Sequence, residues 1–359
     1  TELRKKLAGA RVQVGPYIGT YQQGLQGSAS PSDLRTLFEL VYLDFTAPRA
    51  DSSAFRAFQS QVRTALANRG VNPSAVFQDT LQAALGQYHP RTRPLTLAAV
   101  DSFDLGQALS VYRDRFADAG GFTFVLVGSF AVDSVRPLVQ RYLGNLPALG
   151  RGEEPRDLGI SPPAGVVRRE VRKGVEPQSQ TRLVFTGPVE YTPAERFALT
   201  SLGDVLDLRL RQQLREERGG TYGVNVRAQT TRVPRPEYNL SIQFGSAPER
   251  VDELVNVVLA EIDTLRRSGA TSIELAKLKE TAIRERETDL RQNGFWVAQL
   301  AAADQSGESL RDILDLPHQL EGLTSDGIRS AAQRYLDLTR YVRVTLLPET
   351  GAAARTGTR

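Results

Sequence analysis

The chain has 359 residues, of which 40% are hydrophobic and 24% are charged, and it contains no cysteine. This composition is typical of a soluble globular protein of about two domains, and it excludes disulfides and cysteine-based catalysis. The formal net charge is only +4, and the arginines are interspersed with acidic residues, so we expect no nucleic-acid partner. The longest apolar stretch, FTFVLVGSFAV, is about half of what a membrane-spanning helix needs, so we expect no membrane span.

The two halves of the chain resemble each other. Pro31 and Leu34 in the first half match Pro248 and Val251 in the second, and the pattern continues at a nearly constant offset until Tyr112 matches Tyr335. Both copies then run into a β-rich segment, FTFVLVG in the first and YVRVTLLPE in the second, and each segment predicts a strand. Such self-similarity predicts a duplicated domain. The chain begins with Thr1 and has no methionine, so we expect a processed or incomplete product.

A Pro- and Gly-rich stretch between the copies predicts a linker at residues 151–166. The first copy, residues 1–150, begins in mid-domain, because LRKKL near its start matches LRQQL well inside the second copy. We therefore predict that the first domain lacks its opening strands and helix, and that a segment outside this chain completes it. A first domain that is simply a shorter variant is the alternative.

The second copy, residues 167–359, contains all elements of the predicted domain. A strand region precedes a long helix, opened by Thr192 and Glu195 in a capping-box arrangement, with leucines four residues apart on one face. A hairpin follows, then helices of which one stops at Gly269, and a final strand. The sequence therefore predicts an α+β fold of two tandem sandwich domains, each with an antiparallel or mixed sheet backed by helices.

No self-sufficient catalytic motif is present in the sequence. The two histidines, His89 and His318, have no acidic residue at metal-ligand spacing. We interpret both as surface residues, and we expect this chain to bind no metal by itself. There is also no nucleophile elbow, phosphate loop or dinucleotide fingerprint.

One corner brings two hydrogen-bond donors together. In LREERGGTYGV, residues 214–224, two glycines turn a helix end into a strand, which would set Arg215 near Tyr222. Both residues also have ordinary structural explanations, since the helix dipole favours an arginine at a helix end and tyrosine favours strands. Arg218 is a competing arginine.

The runs LRQQLREERGGTYGV, ETDLRQNGFWVAQL and YLDLTRYVRVTLLPE resemble the C-terminal half of a bacterial zinc metallopeptidase of the pitrilysin, or insulinase, superfamily of inverted zincins. GLQGSASPSDLRTLFELVYLDF resembles the domain that precedes it in long single-chain members. The resemblance covers essentially the whole chain and is strongest from about Leu199 onward. The H-x-x-E-H zinc motif of this family is absent here.

The resemblance implies that zinc is held by a partner, the N-terminal zinc-bearing half, and that this chain is inactive alone. It also implies that Arg215 and Tyr222 bind the backbone carbonyl of a peptide substrate and stabilise its tetrahedral intermediate. The alternative function is that of a catalytically inactive structural or assembly subunit, which the superfamily also includes.

Overall fold

The computed structural model describes residues 2–217 and 221–349, with the side chains of all of these except Glu2, Arg4, Arg215, Glu216, Glu217 and Tyr222. The chain forms two compact units. The first consists of the chain up to Val62, Ala98–Pro155 and Leu290–Leu310, and the second of Arg63–Leu97, Arg156–Asp289 and the chain from Arg311. Each unit therefore contains segments from both sides of the predicted linker. That residues 151–166 separate the two copies of a duplicated domain stays a prediction.

Both halves of the chain contain helices and strands. Before the linker they are α1 (Glu2–Lys6), β1 (Val12–Ile18), β2 (Gln23–Ala29), α2 (Leu34–Thr46), α3 (Ser52–Arg69), α4 (Pro73–Leu85), α5 (Leu97–Asp101), α6 (Leu105–Arg115) and α7 (Val132–Leu138). After it they are β3 (Val166–Arg172), β4 (Ser179–Pro188), α8 (Pro193–Arg211), β5 (Thr221–Thr231), β6 (Glu237–Ser246), α9 (Val251–Ser268), α10 (Ser272–Asp289), α11 (Asn293–Ser306), α12 (Leu316–Glu321), α13 (Ser325–Tyr335) and β7 (Tyr341–Leu347). In these described ranges, no helix combines the length and apolar character that crossing a membrane requires.

The first unit has a small aromatic core. Phe45 and Phe116 are buried with Leu146, and the Phe45 and Phe116 rings meet edge to face with centroids 5.3 Å apart. Tyr112 stacks on Phe116 at 4.5 Å. In the described part of this unit, the one sheet is the antiparallel pair β1–β2.

The strand predicted at Phe122–Val127 does not join a sheet. The segment is outside the secondary structure, and the described residues make no backbone-to-backbone hydrogen bond with Thr123–Val127. Its counterpart in the second unit, β7, is held between β3 and β4. The prediction from apolar content was therefore wrong for this segment, because a strand needs neighbours to pair with, and the described part of the first unit supplies none here.

The second unit is built on a five-stranded mixed sheet with the order β3-β7-β4-β6-β5. The β3–β7 pair is parallel and the other pairs are antiparallel. The predicted hairpin is β5–β6 and the predicted final strand is β7. With its helices, this sheet confirms the α+β fold class.

Helices cover both faces of this sheet, with two separate cores. The larger core joins α8, α9 and α13 to Leu183, Phe185, Leu240 and Ile242 of the strands. The smaller core lies on the opposite face, where Phe77 and Leu81 of α4 pack on Val184, Val342 and Val344. Burial of such side chains contributes about 1.5 to 3 kcal/mol each, so both cores stabilise the sheet.

Helix α8 begins with the predicted cap, although half of the predicted capping box is not made. The Thr192 hydroxyl accepts a hydrogen bond from the Glu195 N–H at 3.2 Å. The Glu195 carboxylate accepts instead from the Tyr335 hydroxyl and from Arg334, so it connects α8 to α13. Further along, a Cβ atom at Gly203 would lie 3.1 Å from that of Ala228. Glycine therefore lets α8 lie unusually close to β5.

Candidate functional site

The corner predicted from LREERGGTYGV begins with a change in the winding of α8. After Arg211 the helix continues as a π-helical turn over Gln212–Glu217. Leu210 and Leu214 are both fully buried and hold this turn against the core. π-Helical turns inside helices are rare and occur frequently at functional sites.

The strand after the corner begins with an irregularity. The pairing of β5 with β6 shifts register between Thr221 and Gly223, which makes Tyr222 the extra residue of a β-bulge. The Thr221 hydroxyl lies 2.7 Å from the Gly245 carbonyl and accepts from the Gly223 N–H at 3.1 Å. Bulges of this kind redirect a side chain and are common next to active sites.

The two predicted site residues thus fall on two backbone irregularities, Arg215 in the π-helical turn and Tyr222 in the bulge. Their side chains lie outside the described part of the structure, as do residues 218–220 with the two predicted turn glycines. The proximity of Arg215 to Tyr222 and the glycine conformation therefore stay predictions.

Asp207 joins the helix to the edge of the sheet. Its Oδ1 accepts from the Val226 N–H at 2.9 Å, and its Oδ2 accepts from Arg211. Because β5 is the last strand of the sheet, this carboxylate satisfies an edge N–H that has no strand to pair with. The sequence gives a weak signal for the Asp207–Arg211 ion pair in its i, i+4 spacing and none for the contact with Val226.

An ion pair holds the other side of the helix end. Arg209 donates two hydrogen bonds to Glu274 at 2.6 and 2.9 Å and a third to the Gly269 carbonyl at 2.8 Å. Burial alone would raise the pKa of Glu274, but hydrogen bonds from Arg209 and Thr271 outweigh it and hold that pKa below its usual value. The end of α8 is therefore fixed both to Gly269, which follows α9, and to the first turn of α10.

A surface pocket of about 420 Å³ adjoins this helix end. Its lining consists of Arg209, Gln212, Gln213, Glu261, Thr264, Ser268, Gly269, Ala270, Thr271 and Glu274. Two of these residues, Gln212 and Gln213, belong to the π-helical turn that carries Arg215. The pocket therefore borders the first two residues of that turn.

The described residues offer no fit for a catalytic zinc ion. They contain no group of three or more histidines, cysteines, aspartates or glutamates that could hold a metal. The half-buried His89 accepts a hydrogen bond from the Arg91 N–H, so it shapes a turn, and the exposed His318 lies 3.7 Å from Glu321. That this chain binds no zinc remains a prediction.

Comparison with known proteins decides the family. The family model described as the Peptidase M16 inactive domain matches residues 102–282, about half of the chain. The chain belongs to this family. The pitrilysin-type resemblance is thereby confirmed, and the chain is an M16 inactive domain of zinc protease-like proteins.

This M16 chain matches only part of longer relatives. It is 24% identical over 348 residues to the zinc protease PQQL-like of Arabidopsis thaliana, covering 89% of this chain and 36% of that protein. It is 25% identical over 337 residues to the probable zinc protease PqqL of Escherichia coli, covering 90% and 35%. The chain thus spans about a third of the length of these curated relatives.

Solved structures share the fold of this M16 chain. The periplasmic protease PqqL from Escherichia coli superposes with a TM-score of 0.79 at 20% identity, over 97% of this chain and 38% of that one. The peptidase M16 inactive domain from Pseudomonas fluorescens superposes with a TM-score of 0.71 at 20% identity, over 96% and 82%.

Proposed function

We propose that this M16 domain is the non-metal half of a zinc peptidase, which closes against an N-terminal zinc-bearing half to enclose and cleave peptides. The family membership and the zinc proteases among the longer relatives support this role. The observation that carries the proposal is the corner after α8. There the predicted site residue Arg215 lies in a π-helical turn, and the predicted site residue Tyr222 lies in a β-bulge.

The chemistry of this corner is the binding of a peptide carbonyl. Arg215 and Tyr222 donate hydrogen bonds to the oxygen of the bond to be cleaved, and these bonds strengthen as negative charge develops on it. The zinc half supplies the metal. The anchors of the corner, Asp207 and the Arg209–Glu274 pair, fix the backbone on both sides, and such preorganisation makes donors effective in catalysis.

The test replaces Tyr222 by phenylalanine in this chain combined with the zinc-bearing half. Tyr222→Phe removes one donor without changing packing volume, and we expect peptide turnover to fall by roughly 10² to 10³ while the unfolding midpoint stays the same. Tyr21→Phe, which alters an exposed tyrosine of the first unit, is the matched control and should change turnover less than about twofold. Turnover within about twofold for Tyr222→Phe would favour a structural or assembly subunit instead.

The zinc half, or the segment joined to it, also completes the first domain. Thr123–Val127 leaves its backbone groups without backbone partners in the described part of the chain, although Val125, Leu126 and Val127 are half-buried and apolar. In the duplicated second domain, the matching strand β7 has a parallel neighbour, β3, and an antiparallel one, β4. The proposed partner therefore adds two strands, one in each direction, by β-augmentation.

Hydrogen exchange distinguishes this completion from a first domain that is simply shorter. In the chain alone, the amides of Thr123–Val127 should exchange rapidly, because no backbone acceptor protects them. Addition of the zinc-bearing half should slow them by at least about 100-fold, as expected for amides in a sheet. Rapid exchange in an active complex would show that the segment stays unpaired and would contradict the completion.

A further inference from the structure

One sheet face of the second unit carries polar side chains. On β4, β6 and β5, the residues that alternate with the buried core point to the face opposite α8, α9 and α13. They include the amides Gln180, Asn225, Gln229, Asn239 and Gln243 and the arginines Arg182 and Arg227. In these three strands the one acidic residue is Glu237, at the start of β6, and it is paired with Arg235.

Arg182 lies beside α4 with amide groups for partners. It donates to the side-chain oxygen of Gln78 on α4 at 3.3 Å and to that of Gln243, its neighbour on β6. Its Nε is buried without a hydrogen-bond partner. Burial of a guanidinium normally requires a carboxylate or a full set of acceptors, so the positive charge of Arg182 is incompletely compensated.

Arg227 adds a second positive charge to the same face. It lies opposite Ser241 on β6, and its Nε donates to Asn225 at 3.1 Å. Arg182 and Arg227 lie on the two strands that flank β6, opposite Gln243 and Ser241, and thus share one face of the sheet. Burial lowers the pKa of Arg182, and the charge of Arg227 lowers it further. Among the described residues, neither arginine has an ion-pair partner.

We propose that this face, centred on Arg182 and Arg227, binds a carboxylate of an extended peptide. Arg227 contacts the carboxylate directly, because its side chain is exposed. Arg182, which is half-buried, adds positive charge to the same face. The side-chain amides around them can both donate to and accept from a peptide backbone, which favours a peptide over an isolated anion. The inference rests on the proposed peptidase role and adds to it a preference for acidic residues in the substrate.

Binding to the 359-residue chain alone tests the preference. The probes are heptapeptides of six alanines around a central residue, blocked at both ends, with glutamate in one and glutamine in the other. A third probe has the glutamine and a free C-terminal carboxylate. Titrations followed by amide NMR shifts detect millimolar affinities and report whether residues of β5 and β6 move. We expect a carboxylate probe to bind at least about tenfold more tightly than the blocked glutamine peptide. Which probe does so shows whether the face binds a side-chain carboxylate or a C-terminal one.

Two variants test whether the carboxylate binds specifically at this face or is attracted by any exposed arginine. Arg227→Gln should remove the preference, weakening the tighter probe by about tenfold or more. Arg267→Gln on α9 removes the same charge from an exposed arginine on the opposite side of the sheet and should leave affinity within about twofold. Equal binding of all probes, or equal loss in both variants, would overturn the inference. If turnover still depends on Tyr222 in that case, the proposed function stands without it.

Discussion

Removal of the Asp207 carboxylate should loosen the corner that carries Arg215 and Tyr222. In Asp207→Ala, the Val226 N–H loses its acceptor at 2.9 Å, and an unsatisfied donor at a buried position costs about 1 to 3 kcal/mol. The ion pair adds little, because Arg211 is 56% exposed and such i, i+4 pairs contribute about 0.3 to 0.5 kcal/mol. We therefore expect a loss of about 1.5 to 3 kcal/mol in the free energy of unfolding, at constant m-value.

Two control variants test whether the lost free energy of unfolding comes from the hydrogen bond between Asp207 and the Val226 N–H. Asp207→Asn keeps an oxygen for Val226, and Arg211→Gln removes only the ion pair, so each should cost about 0.5 kcal/mol or less. Hydrogen exchange gives the local readout: the Val226 amide should exchange faster in Asp207→Ala than in either control. If all three variants unfold at the same urea concentration and protect Val226 equally, Asp207 does not anchor β5 and the reasoning is refuted.

Two further predictions concern stability. Gly269→Ala should lower the free energy of unfolding by at least about 1 to 3 kcal/mol, because Gly269 has a φ of +69° and an added Cβ would lie 2.3 Å from the Ser325 carbonyl; an unchanged urea midpoint would contradict this. Burial raises the pKa of Asp44 from 3.8 to about 6, so the folded state binds more protons than the unfolded state between these values, and stability from this residue falls as pH rises through that window. The full shift would correspond to about 3 kcal/mol, but Asp44 is only half-buried and solvent screens part of the effect. Asp44→Asn should therefore stabilise the protein by about 1 to 2 kcal/mol at pH 7.5 and not at pH 3.5, and a gain that does not vary with pH in urea titrations would exclude this cause.

The fold was predictable where the local pattern and the tertiary environment agree. The leucines of α8 repeat every four residues and are buried, and Gly269 ends α9 with the backbone conformation that glycine allows. Phe122–Val127 has an equally good strand pattern but pairs with no strand in the described part of the chain, which its own sequence cannot reveal. A segment forms a strand only where neighbouring strands pair with it, so apolar content alone gave a wrong prediction here.

The position of the candidate site stays a prediction, and the contacts around it could not be predicted from the sequence. The helix end and the next strand fall where the sequence predicts them, whereas the two glycines lie outside the described residues. The resemblance to the peptidase family singled out Arg215 and Tyr222. The contacts that fix the corner join residues far apart in sequence, such as Arg209 with Glu274, and no spacing rule connects them. The π-helical turn was not predicted either, because Leu210 and Leu214 continue the four-residue leucine spacing of the preceding helix.

The smaller core of the second unit cannot be completed until the last strand of the chain has been synthesised. Phe77, which is fully buried, packs against Val342 and Val344 of the last strand. About 265 residues separate Phe77 from Val342, and at about 5 to 20 residues per second a ribosome needs roughly 13 to 53 s to add them. Until β7 emerges, the sheet lacks Val342 and Val344, so part of the apolar face of α4 stays uncovered even after β4 has been made. The nascent chain should therefore depend on chaperones that shield this face.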